Sequence, residues 1–145
     1  MNIVLFEASE LTSDHKITLA DRRYEHLRDV LKCAEGDRVR VGMINGAKGT
    51  GQILSMTTAT VDLHVEIKDA PLPCHPTTLV LALPRPKMLR RILRSCAEFG
   101  VQDIHIIHSY RVEKSFWQSP LLEPKKIHQA LLVGLERSGD TRLPI

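Results

Sequence analysis

Long apolar runs are absent from this 145-residue chain, which nowhere approaches the roughly 18 consecutive apolar residues that a membrane-spanning helix needs. Its first ten residues, MNIVLFEASE, have no basic leader, no extended apolar segment and no small-residue cleavage site, so no secretion signal is expected. Cysteine is scarce. Cys33, Cys74 and Cys96 are odd in number and widely spaced, and no CxxC occurs. That argues against a disulfide framework or a zinc site, and for a reducing compartment, the cytoplasm. Neither a nucleophile–base pair nor a paired-carboxylate set shows in the pattern. His105 and His108, three apart on an expected strand, point to opposite faces and so do not suit a shared metal. The glycine-bearing NGAKGTG does not match the G-x-x-x-x-G-K-[ST] phosphate loop and reads as a hairpin. Internal repeats and low-complexity tracts are lacking too.

What is present is the composition of a folded chain, 43% hydrophobic and 26% charged. The net charge of +3 is a mild lean toward polyanions, and ordinary surface charge explains it as well as nucleic acid does. Residues 3–6 suit a short strand. ADRRYEHLRDVLK follows a helical period, with Tyr24, Leu27, Val30 and Leu31 on one side and Gly36 beyond its end. Three strand-like runs come next, over 37–44, 50–56 and 58–67. In the last, Val61, Leu63, Val65 and Ile67 alternate with Asp62, His64, Glu66 and Lys68, as in a half-buried strand. Asn45-Gly46 predicts a tight hairpin turn with both residues at positive φ. The first part is therefore expected to be a small, mostly antiparallel β-barrel over 1–70 that closes its own edges.

Three prolines in APLPCHPT mark a linker over 71–77. Beyond it the pattern changes to strand (77–83), helix (86–99), strand (101–107), loop and helix (121–137). Continuous apolar strands alternating with helices indicate a parallel sheet, here over 78–145.

Cations gather in this second part. Met88, Leu89, Ile92, Leu93, Cys96 and Phe99 form the expected buried face of its first helix. Lys87, Arg91 and Arg94 lie opposite, with Arg90 at the edge, and Arg94 could pair with Glu98 as on any solvated helix. Arg85 and Lys87, however, follow directly on the C-terminal end of a strand, where open α/β sheets bind their ligands. Guanidinium groups match phosphate geometry, so a polyanion is the natural partner. The loop HSYRVEKSFWQSP adds Arg111 and Lys114 with Phe116 and Trp117. Cations among aromatics suit phosphates and unstacked bases, although the two rings could equally plug the loop into the core. The last helix carries a stripe of Ile127, Leu131, Gly134 and Leu135, with Pro120 or Pro124 placed to start it and Gly139 to end it.

Four segments taken together resemble the bacterial 16S rRNA (uracil-N3) methyltransferases, the RsmE-type branch of the SPOUT superfamily. They are HLRDVLK with its following GDRV, LALPRPKMLRRIL, AEFGVQDIHIIHSYRVEKS, and GLERSGDTRLP, in the family's order from about residue 24 to the end. The resemblance implies an α+β chain, a PUA-like RNA-binding barrel followed by an α/β domain with a trefoil knot. It also implies S-adenosylmethionine as cofactor without a metal, a homodimer, and a uridine N3 of small-subunit rRNA as target. By position, His26, Arg28 and Lys32 fall in the barrel's helix motif, Lys32 standing where arginine is usual. Glu98 and Gly100 match a Glu-Leu-Gly step with Phe99 in place of Leu. Arg111 matches the arginine of the loop after the second parallel strand. Glu136, Arg142 and Pro144 fit the last motif, whereas Arg137 and Asp140 depart from it, as in a divergent subgroup.

The expected RNA-binding set is thus His26, Arg28, Lys32, Arg85, Lys87, Arg90, Arg91, Arg94 and Lys114, with Arg111 and, secondarily, Arg142 positioning the substrate uridine. The family's Gly-Pro-Glu-Gly-Gly turn and its later Arg-Thr-Glu-Thr-like stretch do not occur in the sequence. The cofactor site is accordingly expected past residue 145, and the α/β domain is expected to be incomplete here and inactive alone. The alternative from another class is a PUA-type RNA-binding module with a structural α/β tail. A nucleotide-binding protein unrelated to RNA ranks below both, for want of a phosphate loop.

Overall fold

The computed structural model describes every residue except Leu72 and Cys74, so Cys74 and part of the linker lie outside the described residues. Two compact units divide between residues 71 and 72.

The first unit is a five-stranded sheet in the order β1-β3-β4-β5-β2. The strands are β1 (Val4–Phe6), β2 (Lys16–Leu19), β3 (Arg38–Met43), β4 (Lys48–Met56) and β5 (Val61–Asp69). Only β1 and β3 pair in parallel; every other ladder is antiparallel. Sequence alternation fixes the facing of β5: Val61, Leu63 and Val65 are buried and the residues between them are not. Phe6 on one edge strand and Ile17 and Leu19 on the other are all at 0% exposure and join one core with Leu27, Val41, Ile53 and Leu63. A flat sheet of this width would set its edges about 19 Å apart, beyond the cover of one short helix. The sheet therefore curls around its own core. It does not close as expected, since no ladder among the described residues joins β1 to β2.

Three local expectations are corrected. The helix read over 20–32 is shorter and changes pitch: α1 (Arg22–Glu25), capped by the Asp21 side chain, runs into a π-helical turn at His26–Val30. The hairpin between β3 and β4 turns one residue earlier, with Gly46 N–H donating to the Met43 carbonyl at 2.8 Å and Asn45 alone at positive φ. Asparagine tolerates that conformation, so a single left-handed residue suffices. β2, with no long apolar run of its own, was not anticipated.

In the second unit β6 (His75–Ala82) and β7 (Val101–Ile107) pair in parallel, Leu79 opposite Ile104 and Leu81 opposite Ile106. β6 takes in residues 75–77, which the prolines had assigned to the linker; Pro76 gives no N–H, and the ladder is irregular between His75 and Thr78. Helix α2 (Pro86–Glu98) starts on a proline at its first turn, and α3 (Pro124–Ser138) does the same and ends on Gly139 in the left-handed conformation. The two helices run side by side in the same direction. A Cβ on Gly134 would sit 2.8 Å from that of Ala97 and collide with the Arg94 carbonyl, so only glycine permits this approach. Leu89, Leu93, Cys96, Ala97, Leu131 and Leu135 fill the interior. Met88 and Phe99, expected there, are 43% and 73% exposed. The pleat's other face stays open at Val80 and Ile107. The backbone of Ile145 lies along the free edge of β7, donating to the Gln102 carbonyl at 2.9 Å and accepting from Ile104 N–H at 2.7 Å, the pattern of a parallel bridge.

Candidate nucleic-acid interface

In the first unit the candidates share one turn of chain but not one state. Arg28 forks onto Asp29 through Nε and Nη2 at 2.6 and 2.7 Å, donates to the Tyr24 hydroxyl at 3.0 Å and stacks over the Tyr24 ring at 4.9 Å. The Asp29 bond, then Tyr24, raises this guanidinium's pKa further, while Arg28 in turn lowers the Asp29 carboxyl. Its planar donors are largely committed. Lys32 is exposed and holds a left-handed φ of 52°, closing the π turn where Cys33 N–H reaches back to the Leu27 carbonyl at 3.0 Å. His26 is half-buried.

Arg23, in the same helix, plays a structural part that its place in a charged run concealed. It donates to Glu10 at 2.6 Å, to Asp21 at 2.8 Å and to the Leu5 carbonyl at 2.8 Å, tying α1 to β1. Burial pulls its pKa down, but the bonds to Glu10 and Asp21 prevail and raise it. The Arg23 bond holds the Glu10 carboxyl low. For Asp21 burial acts upward, and its bonds to Arg23 outweigh that, leaving it low as well.

In the second unit Ala82 is the register partner of Ile107. The segments that follow the two strands therefore leave the same sheet edge. One carries Arg85, at the cap of α2, and Lys87, both exposed, with no acidic residue in that first turn. The other carries Arg111 and Lys114, also exposed, and the short 3-10 turn Lys114–Gln118. Two cationic segments at a helix N-terminus and a sheet's C-terminal edge favour an anion there. Trp117 donates from its indole Nε1 to His108 Nδ1 at 3.1 Å and remains 40% exposed, while Phe116 is half-buried. Trp117 is thus more open than Phe116, and neither ring is fully buried. Tyr110, fully exposed between them and Ile107, was missed.

The remaining helix cations separate. Arg91 is exposed on α2. Arg90 and Arg94 line a cleft between α2 and α3 together with Lys126 and Gln129, two residues that no sequence motif marked. Glu98 does not pair with Arg94. It bonds Arg137 of α3 at 3.1 Å instead. Arg142 is half-buried and follows Thr141, which is wholly buried. Cys96 is a core residue whose thiol pKa burial raises. Among the described residues no group of three or more His, Cys, Asp or Glu side chains could hold a metal, and no helix is long and apolar enough to cross a membrane.

A curled, mostly antiparallel sheet followed by a parallel βαβα unit is a fold that solved rRNA methyltransferases share. The structure of a probable rRNA-methyltransferase from Porphyromonas gingivalis matches 98% of this chain and 58% of its own, with a TM-score of 0.74 and 16% identity. That of a ribosomal RNA small subunit methyltransferase E from Neisseria gonorrhoeae, bound to S-adenosyl methionine, matches 98% and 59%, with a TM-score of 0.73 and 17% identity. The family model of the RNA methyltransferase domain matches residues 70–145, and the chain belongs to that family. Its whole length is 38% identical to the ribosomal RNA small subunit methyltransferase E of Treponema pallidum (strain Nichols), of which it spans 55%.

Proposed function

We propose that this chain is the RNA-facing part of an S-adenosylmethionine-dependent methyltransferase acting on a uridine N3 of small-subunit rRNA. Identity of 38% along this chain to a small-subunit rRNA methyltransferase, of which it spans 55%, carries the reading. Its first unit is taken as a PUA-like RNA-holding module and its second as the start of a SPOUT domain, the whole working as a cytoplasmic homodimer. The residues described here do not fit the cofactor. The α2–α3 cleft is lined by three cations and would repel a sulfonium, and the glycine-rich turn of the family is missing from the sequence. No transfer step is therefore assigned to this chain.

Its own residues hold and orient RNA. Arg85, Lys87 and Lys114 offer charge to the phosphate backbone, and Tyr110 and Trp117 offer flat surfaces to unstacked bases. Arg111, exposed on the loop after β7, is the cation assigned to stabilise the uracil anion left once N3 loses its proton, and Arg142 is the secondary candidate. Titrating this chain with a small-subunit rRNA fragment tests the reading: Arg111→Glu should weaken binding at least tenfold. Wild-type affinity in that variant would remove Arg111 from the site. The same protein binding RNA without any associated methylation would instead support an RNA-binding module with a structural α/β tail.

A further inference from the structure

We propose that the cleft between α2 and α3 is a second RNA contact, a clamp for a single phosphodiester group, set apart from the sheet edge that carries Arg85 and Arg111. The inference rests on the RNA reading above and adds to it a specific site and two residues, Lys126 and Gln129. The cleft encloses about 270 Å³ and is lined by Arg90 and Arg94 from α2, by Lys126, Gln129, Ala130 and Val133 from α3, and by Leu121. Three of these side chains are cationic and none is acidic, so the site has charge with nothing inside it to neutralise that charge. The closest carboxylate one turn along α2, Glu98, is taken by Arg137.

Arg94 supplies the second observation. Its Nε is buried and has no hydrogen-bond partner. A buried guanidinium N–H without an acceptor is costly and rare in folded proteins, and it calls for a group that completes it. An anionic oxygen in the cleft would do so. The guanidinium fork of Arg90, the Lys126 ammonium and the Gln129 amide at the rim are the other donors a phosphate diester accepts from. The close approach of the helices at Gly134 is what makes the site: it brings the α3 backbone against Arg94 and so sets Lys126 and Gln129 across from Arg90 and Arg94. A cationic ligand would meet repulsion there, and a neutral one would leave the charge of three cations unbalanced.

The test uses this chain, a short single-stranded RNA containing uridine, and inorganic phosphate. Arg90→Gln combined with Lys126→Gln changes two surface side chains, and circular dichroism checks that the variant is folded. Its affinity for the RNA should fall about tenfold, and its log K against log salt should become shallower by roughly 0.7 for each phosphate that the variant no longer neutralises. Arg94→Lys keeps the charge but removes the Nε donor, and should weaken binding several-fold with little change in that slope. The Arg94 Nε–H resonance should move on adding RNA. Wild-type affinity and slope in the double variant, alongside weakened binding by Arg111→Glu, would overturn the clamp and leave the RNA reading standing. Failure of the unaltered chain to bind any RNA would overturn that reading and the clamp with it. An equal shift of Arg94 Nε–H by inorganic phosphate at matched phosphate concentration would make the cleft a small-anion site and overturn its assignment to RNA.

Discussion

The two units of this chain bury their strands in different ways. In the first, five strands curl until both edge strands contribute to one core, and Phe6, Ile17, Leu19, Val61 and Leu63 reach 0% exposure. In the second, two parallel strands lie with α2 and α3, and Val80 stays 59% exposed and Ile107 42% on the open face. Both sets of strands carry apolar residues on the faces concerned. The difference shows that apolar periodicity marks a face capable of burial, whereas the number of strands and helices packed together decides whether it is buried. It also shows where each unit can be altered at little cost.

The largest effect is expected in the closed core. Leu63→Ala should cost about 2–5 kcal/mol and unfold the first unit at moderate urea, whereas Ile107→Ala, on the open face, should stay within about 0.5 kcal/mol of wild type. Urea titrations of both variants check the contrast, and equal losses would break it. Next comes the helix pair of the second unit. Gly134→Ala puts a methyl group into the Arg94 carbonyl and should cost about 1–3 kcal/mol by overpacking, read from the same titration. If it proves neutral, the helices are not held as closely as described.

A smaller effect follows from the Arg23 cluster. Glu10 and Asp21 have pKa values lowered on folding, so the stability they contribute is present above the ordinary carboxylate range and is lost as pH falls through their folded values. Both are partly exposed, which limits the total to about 1 kcal/mol. The first unit should therefore weaken as pH falls below about 5, and Arg23→Met should lower stability at neutral pH and flatten that slope. An unchanged slope in Arg23→Met would assign the pH dependence elsewhere. The smallest effect is a gain: Lys32→Gly relieves a left-handed φ and should add up to about 1 kcal/mol, visible as a slightly higher Tm.

Much of the fold was legible from local chemistry. Gly139 past the end of α3 and the strict alternation of 61–67 each fix a boundary or a face by sterics that act within a few residues. The start of α3, by contrast, stayed open between Pro120, which begins a short 3-10 turn, and Pro124, which begins the helix. What stayed hidden depends on distant partners. Met88 and Phe99 fit the apolar period of α2 but find nothing to cover them. Arg28 looked available until Asp29 and Tyr24 claimed its donors, and Arg23 looked like surface charge until β1 and Glu10 met it. The placing of Arg94 and Lys126 on one cleft follows from Gly134, a small residue whose meaning appears only when the facing helix is known. The sheet-edge cations were readable because a strand end followed by a helix start is itself a local pattern.

Nucleoside mass spectrometry of small-subunit rRNA, from native cells with and without the gene encoding this chain, tests the central claim most directly. The expected result is that one N3-methyluridine disappears with the gene and returns when it is restored. An unchanged level of N3-methyluridine would contradict it.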